Sequence, residues 1–411
     1  MPFWRILSIP AYARYWTGDL ASGLFDQLTQ VAILWYLAKY GHSAYALGWY
    51  AFSTAAPVVV GGPLIAFLFR WFKIRTVMVF DLAIRTLGYG FLAVSLLVTP
   101  NHVVHWWTFD FVACSNAVVF MATSAGGPNL WPRLVPSSAI GQAIQAEQIG
   151  WNVGTLLGPL SAGLLINLIG LPAIVTLTAV VFGLTAFNLA TVPLKTSAAE
   201  ESSPPPAIDL AAVWARVRGE QALWLTTVVF WTTNLVSGFL AVLWPLIVQR
   251  FWHGSVTLYG ALLTVESVGG LVGSMSLAGW TGRGSLLRRV LIGELAAGLA
   301  MLLLLPGLMS PTWSFVALFA SSAIGVSTAT WVLRLRFDLI REAERPPMLA
   351  YIRTALHTAA PIGGLLAGIL WRPAWAPVLL AASVAVTTFP SMVGLLVSRH
   401  SRHPSVTASR N

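Results

Sequence analysis

Seven of the 14 acidic residues sit inside long apolar runs: Asp19, Asp26, Asp81, Asp110, Glu147, Glu266 and Glu294. An ionised carboxylate in hydrocarbon costs several kcal/mol and persists mainly where it faces protein, water or a bound solute. The chemistry such groups offer is reversible binding of a proton or another cation. Asp19, Gly23, Asp26 and Gln30 follow helical spacing and share one face, with Ser22 and Thr29 beside it. Asp26, on this face, is read as a proton- or cation-binding acid, with an interhelical hydrogen bond as its plain alternative. Glu266 stands mid-run among Leu263, Val265 and Val268 and is read either as a proton-exchanging group or as a satisfied structural carboxyl. Asp19, Glu147, Asp110 and Glu294 rank behind these two, because they lie nearer the ends of their runs, and the lone His357 reads as a packed, hydrogen-bonded side chain. Asp81 and Arg85, one helical turn apart, read first as a static ion pair and second as a gate.

Other chemistries are excluded. The three lysines, Lys39, Lys73 and Lys195, never follow a glycine, so no phosphate-cradling loop exists to bind ATP. Neither a metal-ligand cluster nor a nucleophile, base and acid set occurs, which predicts no enzyme, no metal and no cofactor and leaves an ion gradient, expected to be of protons, as the energy source. The single cysteine, Cys114, cannot form an intrachain disulfide and reads as core packing. Of the 19 tryptophans, most fall near the ends of apolar runs. Trp35, Trp151, Trp231 and Trp244 lie deeper and are candidates to line a cavity, where aromatic faces hold apolar or cationic compounds.

The elements that carry these residues are membrane helices. With 57% hydrophobic residues, 9% charged residues and a mean hydropathy of +0.75, water is not the main solvent of this chain. A hydrocarbon core about 30 Å thick needs about 20 apolar residues per helix. The spans read as 13–39, 45–69, 75–98, 104–128, 139–168, 171–192, 221–249, 256–280, 286–307, 312–333, 346–371 and 374–398. They are long and continuously apolar, unlike the alternating strands of a membrane barrel, so the predicted fold class is all-α with twelve transmembrane helices.

The net charge of +10 would suggest nucleic acid in a soluble protein, but its distribution explains it otherwise. Nineteen of the 24 basic residues fall on the side holding the N-terminus, against Lys39, Arg250 and Arg372 on the other and Arg85 and Arg353 inside spans. That asymmetry predicts both termini in the cytoplasm, a multi-pass position in a bacterial inner or plasma membrane, and no nucleic-acid partner. Residues 1–12 hold no cleavable apolar run, so the first span serves as the insertion signal.

One long polar interruption divides the chain at its middle. The predicted organisation is a six-helix bundle over 1–192, a cytoplasmic linker over 193–220, a second six-helix bundle over 221–398 and a tail over 399–411. Pro204, Pro205 and Pro206 give the linker an extended, tether-like centre. After it, Leu210, Val213, Trp214 and Val217 share a face suited to a helix on the inner membrane surface, or to a plain extension of span seven. The halves retain traces of one another, since Ser43, Gly48 and Gly61 recur as Ser255, Gly260 and Gly273 at a constant offset of 212 residues. Gly150, Gly154 and Gly158 at four-residue spacing, then Pro159 and Gly163, mark span five for close helix packing. Span eleven repeats the theme with Pro361, Gly363, Gly364 and Gly368. These helices are expected to line the contact between the halves.

Five stretches carry a family resemblance: Tyr15-Trp16 through Gln30-Val31, Ala46-Leu47-Gly48, Gly62-Pro63-Leu64, Pro132-Arg133-Leu134-Val135-Pro136, and Gly158-Pro159 with Gly163. In these the chain resembles the major facilitator superfamily, and within it the exporter branch that contains macrolide-efflux proteins and the enterobactin exporter. The resemblance implies two six-helix bundles around a central cavity that opens alternately to each side, and Asp26 matches an acid that recurs in the family. It departs at the loop after span two, where Arg70 replaces the family's aspartate while Lys73 and Arg75 keep its basic part; the Asp81 and Arg85 pair is a candidate substitute. The implied function is proton-coupled efflux of amphiphilic small molecules by a monomer in contact with membrane lipid. A siderophore or lysophospholipid cargo is the alternative within transport, and a non-transporting membrane receptor or assembly partner is the alternative outside it.

Overall fold

The computed structural model describes residues 3–41, 43–99, 105–194, 210–276, 285–341 and 345–400. The centre of the linker with Pro204 to Pro206, the loop with Trp280 and Arg283, and residues 401–411 of the tail lie outside the described residues. Every regular element among the described residues is helical. In chain order these are α1 (Pro10–Tyr40), α2 (Ala44–Ala55), α3 (Val58–Trp71), α4 (Ile74–Val98), α5 (Trp106–Leu134), α6 (Ile140–Thr191), α7 (Leu210–Gly219) and α8 (Gln221–Arg250). There follow α9 (Val256–Ser276), α10 (Leu286–Ala300), α11 (Leu304–Gly307), α12 (Pro311–Leu339), α13 (Arg345–His357), α14 (Ala359–Leu370) and α15 (Ala376–His400). Eight stretches of the described residues are long and apolar enough to cross a membrane, the mark of a multi-pass chain.

Where the helices differ from the predicted spans, proline or glycine gives the reason. Proline cannot donate to the carbonyl four residues back, so Pro57 separates α2 from α3, Pro306 accompanies the tightened turn Met301–Leu303 between α10 and α11, and Pro361 accompanies the break between α13 and α14. Predicted spans five and six run together as α6, with one non-helical residue, Gly170, at φ 75° and ψ 166°. A residue with a Cβ adopts that conformation only under strain.

Two sets of helices result. In the first, α1 and α4 lie along α6 while α2, α3 and α4 pack on α5; in the second, α9 and α10 pack on α12, α14 on α8, and α15 on α10 and α8. The sets meet where α6 touches α9 and α2 touches α14. Leu87, Leu97, Leu168 and Phe187 point outward and are each at least two-thirds exposed, a surface that suits lipid and not water. Cys114 belongs to that exterior, so the expectation of core packing is corrected: it is exposed. The expectation for α7 changes as well. Glu220, in extended backbone, separates it from α8, so it is no plain extension. Its Val217 is fully buried against Leu223, Ile340, Met348 and Ile352, and Trp214 meets the rings of Trp224 and Tyr351, so this face docks on protein.

Candidate functional site

The polar stripe of α1 meets α4 at a buried ionic network. Asp81, Arg85 and Tyr89 recur every four residues and so share the α4 face turned to α1 and α5. The Tyr89 hydroxyl donates to Asp26 Oδ1 at 2.6 Å, and Gln30 Nε2 donates to Asp26 Oδ2 at 3.0 Å. Arg85 Nη1 lies 3.9 Å from the same Oδ2, while Arg85 Nε donates to Asp81 Oδ1 at 2.8 Å. The other oxygen of Asp81 accepts from the Thr123 backbone N–H at 3.2 Å and from the Thr123 hydroxyl. The guanidinium is flanked by the rings of Phe120 and Phe182, with centroids 5.3 and 5.4 Å away, which stabilise a cation deprived of water. Side-chain exposure falls from 16% at Asp26 to 6% at Arg85 and none at Asp81. The pair expected from spacing is therefore present, and it extends to Asp26.

The remaining acids occupy separate environments. Asp19 and Glu147 face one another across α1 and α6. Close by, Tyr12 donates to Ala143 O at 3.0 Å and Trp16 Nε1 to Ala146 O at 2.8 Å. A small cavity lined by Tyr15, Asp19, Ser22, Leu82, Thr123 and Asn188, among others, lies between Asp19 and the Thr123 that bonds to Asp81. Asp110 is buried with neither carboxyl oxygen hydrogen-bonded. Glu266 is half-buried on α9, two turns beyond Tyr259, and makes no hydrogen bond to a described residue. Glu294, 3% exposed, accepts from the hydroxyls of Thr233, at 2.9 Å, and Thr328, and ties α10 to α8 and α12.

The small residues do two jobs. Gly150, Gly154 and Gly158 pack on α1, against Trp16, Gly23 and Gln27, while the helix that carries them lines the contact between the two sets, as expected, through other residues. Gly163 does line it: a Cβ there would come 3.1 Å from Thr257 Cα, and Gly260 faces Pro159 and Gly163 in return. On the other seam, Gly48 of α2 faces Gly364 and Gly368 of α14. The 212-residue repeat is thereby structural. Ser43 and Ser255 each accept from a backbone N–H in the first turn of their helix, and Gly48 and Gly260 each sit in a seam. Gly61 and Gly273 pack on Val118 of α5 and Ala323 of α12.

The α6–α9 seam is in contact toward one end. At the end bearing Lys39 and Arg250, Trp35 stacks on Tyr259 with centroids 5.9 Å apart, and Gln249 Nε2 donates to Trp35 O at 3.4 Å. Between α6 and α9, Asn167 donates to Thr257 at 3.3 Å, Thr257 to Gly163 O at 2.8 Å and Ser267 to Thr155 O at 3.1 Å. One and two turns beyond, the same faces carry Trp151, 57% exposed, with Gln148 and Ile144 on α6, and Leu271 with Met275, 79% exposed, on α9. Toward that end the two faces are exposed. The four deep tryptophans are dispersed: Trp151 is exposed toward that end, Trp35 is buried in the closed seam, Trp244 is buried near Trp252, and Trp231 donates to Thr358 at 3.3 Å.

Tyr89 and Thr123 were not among the residues expected from sequence. The four-residue spacing Asp81, Arg85, Tyr89 was available to reveal the tyrosine, whereas nothing local reveals which threonine of α5 would reach Asp81.

No protein-family model matches the chain, and no curated relative matches it. Its structure is similar to solved transporters. A bacterial homologue of the iron transporter ferroportin in an inward-facing state is 16% identical, with 96% of this chain and 99% of that one covered and a TM-score of 0.73. The nucleoside transporter NupG is 10% identical over 95% and 99% of the two chains, with a TM-score of 0.73. The D-xylose-proton symporter is 14% identical over 94% and 95%, with a TM-score of 0.71. The chain shares their fold.

Proposed function

We propose that the chain is a secondary active transporter of the major facilitator type that exports amphiphilic small molecules by alternating access, driven by protons bound at Asp26. The observation that carries this reading is the α6–α9 seam, in contact toward one end and exposed toward the other, since a transporter that exposes its cargo site to one side at a time requires such an asymmetry. Twelve spans with both termini cytoplasmic would put the open end, beside Ile144 and Met275, on the cytoplasmic side. An exporter loads its cargo from there. Trp151 gives that end an aromatic face for apolar or cationic cargo, and Asp26, in contact with Tyr89, Gln30 and Arg85, supplies the acid.

The test is a growth-inhibition panel in an efflux-deficient bacterial host with macrolides, dyes, tetracyclines and quaternary amines, comparing wild type with Asp26→Asn at equal membrane expression. Tolerance conferred by wild type and lost in the variant supports drug export through Asp26. No change for any compound would move the reading to a dedicated cargo. A lysophospholipid is then favoured by the apolar groove between α4 and α6, where Leu87, Phe91, Val94 and Leu184 face the lipid side around Gly90 and Gly183.

A further inference from the structure

The network holds two carboxylates and one guanidinium, and the unequal way they share the charge points to a division of labour. Asp81 is sealed from solvent, and its oxygens accept from Arg85 Nε and from the amide and hydroxyl of Thr123, so every contact it makes is with a donor. Such a carboxyl has its ionised form satisfied on both oxygens. Arg85 is thereby matched by Asp81, 2.8 Å away, and stands farther from Asp26, at 3.9 Å. The surplus negative charge of the network rests on Asp26, whose nearer partners, Tyr89 and Gln30, are neutral donors. Other titratable groups that face the network bring no positive charge: Tyr50 on α2, Asp110 on α5, Asp19 on α1 and Glu147 on α6. A surplus charge inside a membrane protein is costly, and one proton removes it.

We propose that Asp26, Arg85 and Asp81 form a site for a single proton, in which Asp26 takes the proton, Asp81 is a permanent counter-ion and Arg85 is a positioning residue that reports the occupancy of α1 to α4. The inference rests on the reading of Asp26 as the coupling acid and adds its stoichiometry and its mechanical output. A proton arriving from water at the open end bonds to one Asp26 oxygen, and the Gln30 amide rotates to offer its carbonyl to the new O–H. The attraction between Arg85 and Asp26 then ends, the guanidinium belongs wholly to Asp81, and the charge tie between α1 and α4 is lost. Because α1 also carries Trp35 in the closed seam, its release from α4 acts on the element whose contact with Tyr259 must break when that end opens.

The charge balance makes an uncommon demand: neutralising Asp81, which never takes the proton, must abolish proton binding at Asp26. Infrared pH titration of the full-length protein in lipid nanodiscs reads this directly from the carbonyl band of a neutral acid. Among the neutral-acid bands that the carboxyls of the chain give on acidification, wild type shows one that Asp26→Asn removes, and Asp81→Asn lacks that band over the same pH range, because Asp26 and Arg85 are then a balanced pair. Arg85→Lys keeps it. An Asp26 band that persists unchanged in Asp81→Asn overturns the shared-charge site while leaving Asp26 as the coupling acid; a spectrum that Asp26→Asn leaves unchanged instead removes the reading of Asp26 itself. Should Asp81→Asn not fold, Arg85→Gln serves, with one neutral-acid band more than wild type expected, and the absence of an added band counts against the proposal.

Discussion

At the scale of residues, two carboxyls that look alike in sequence are held in opposite ways. Glu294 is fixed by two threonine hydroxyls inside one set of helices, with no cation paired to it among the described residues, and its partners make it a tie. Asp26 joins α1 to α4 through Tyr89 and lies 3.9 Å from the Arg85 guanidinium, so a change at this carboxyl alters a charge balance as well as a hydrogen bond. Replacing Tyr89 by Phe removes a donor to a buried carboxylate, a loss of roughly 1.5–3 kcal/mol for a bond to a charged group. Thermal unfolding in a fixed detergent should show a lower midpoint for Tyr89→Phe, whereas an unchanged midpoint would mean that the hydroxyl does not hold Asp26. Thr328→Val should cost about 1–3 kcal/mol by leaving Glu294 short of a donor, yet it should leave transport coupling intact. A Thr328→Val protein that folds normally but transports without a proton gradient would reassign Glu294 to the coupling machinery.

Among the elements, α6 makes two kinds of contact through glycines on two different faces, and single methyl groups separate them. A Cβ at Gly154 would lie 3.7 Å from the nearest α1 backbone atoms, an ordinary contact, so Gly154→Ala should be neutral or gain up to about 1 kcal/mol from better helix propensity. At Gly260 the same methyl meets the Pro159 carbonyl and lies 3.1 Å from Gly163 Cα, with backbone on both sides, so α6 and α9 must separate. Overpacking of this kind costs roughly 1–3 kcal/mol, and here it acts only on the closed seam. Paired melting curves should place Gly154→Ala at or above wild type and Gly260→Ala below it; equal midpoints would mean that the seam is looser than these distances indicate. Such differences also mark how far sequence reading reaches. Hydropathy locates nearly every helix because burial in lipid selects composition, and the break between spans five and six falls on Gly170 because only glycine takes its φ freely. Helix partners are another matter. The spacing of Gly150, Gly154 and Gly158 specifies a close neighbour without specifying α1 in place of α9, since any helix backbone fits a groove of that shape. Likewise the α1 stripe and the Asp81 and Arg85 pair were each legible alone, while their junction depends on the packing of α4 against α1 and α5.

For the whole molecule, the proposed alternating access requires a second conformation in which the closed and open ends of the α6–α9 seam exchange. The 212-residue repeat supplies the physical reason, because equivalent glycines, Gly48 and Gly260, sit in both seams and let either act as a pivot. Cysteine pairs distinguish the two ends once Cys114 is replaced by Ser. Asn167→Cys with Thr257→Cys joins positions whose side chains already hydrogen-bond, and it should form a disulfide readily, pin the closed end and block transport until reduced. Gln148→Cys with Leu271→Cys lies on the exposed faces of α6 and α9, so only a long bifunctional reagent should bridge it at rest. Added cargo or an imposed proton gradient should then bring the second pair within disulfide reach while protecting the first. A chain that cross-links both pairs directly, with no response to either ligand or gradient, would be a static bundle, and the receptor reading would replace the transporter.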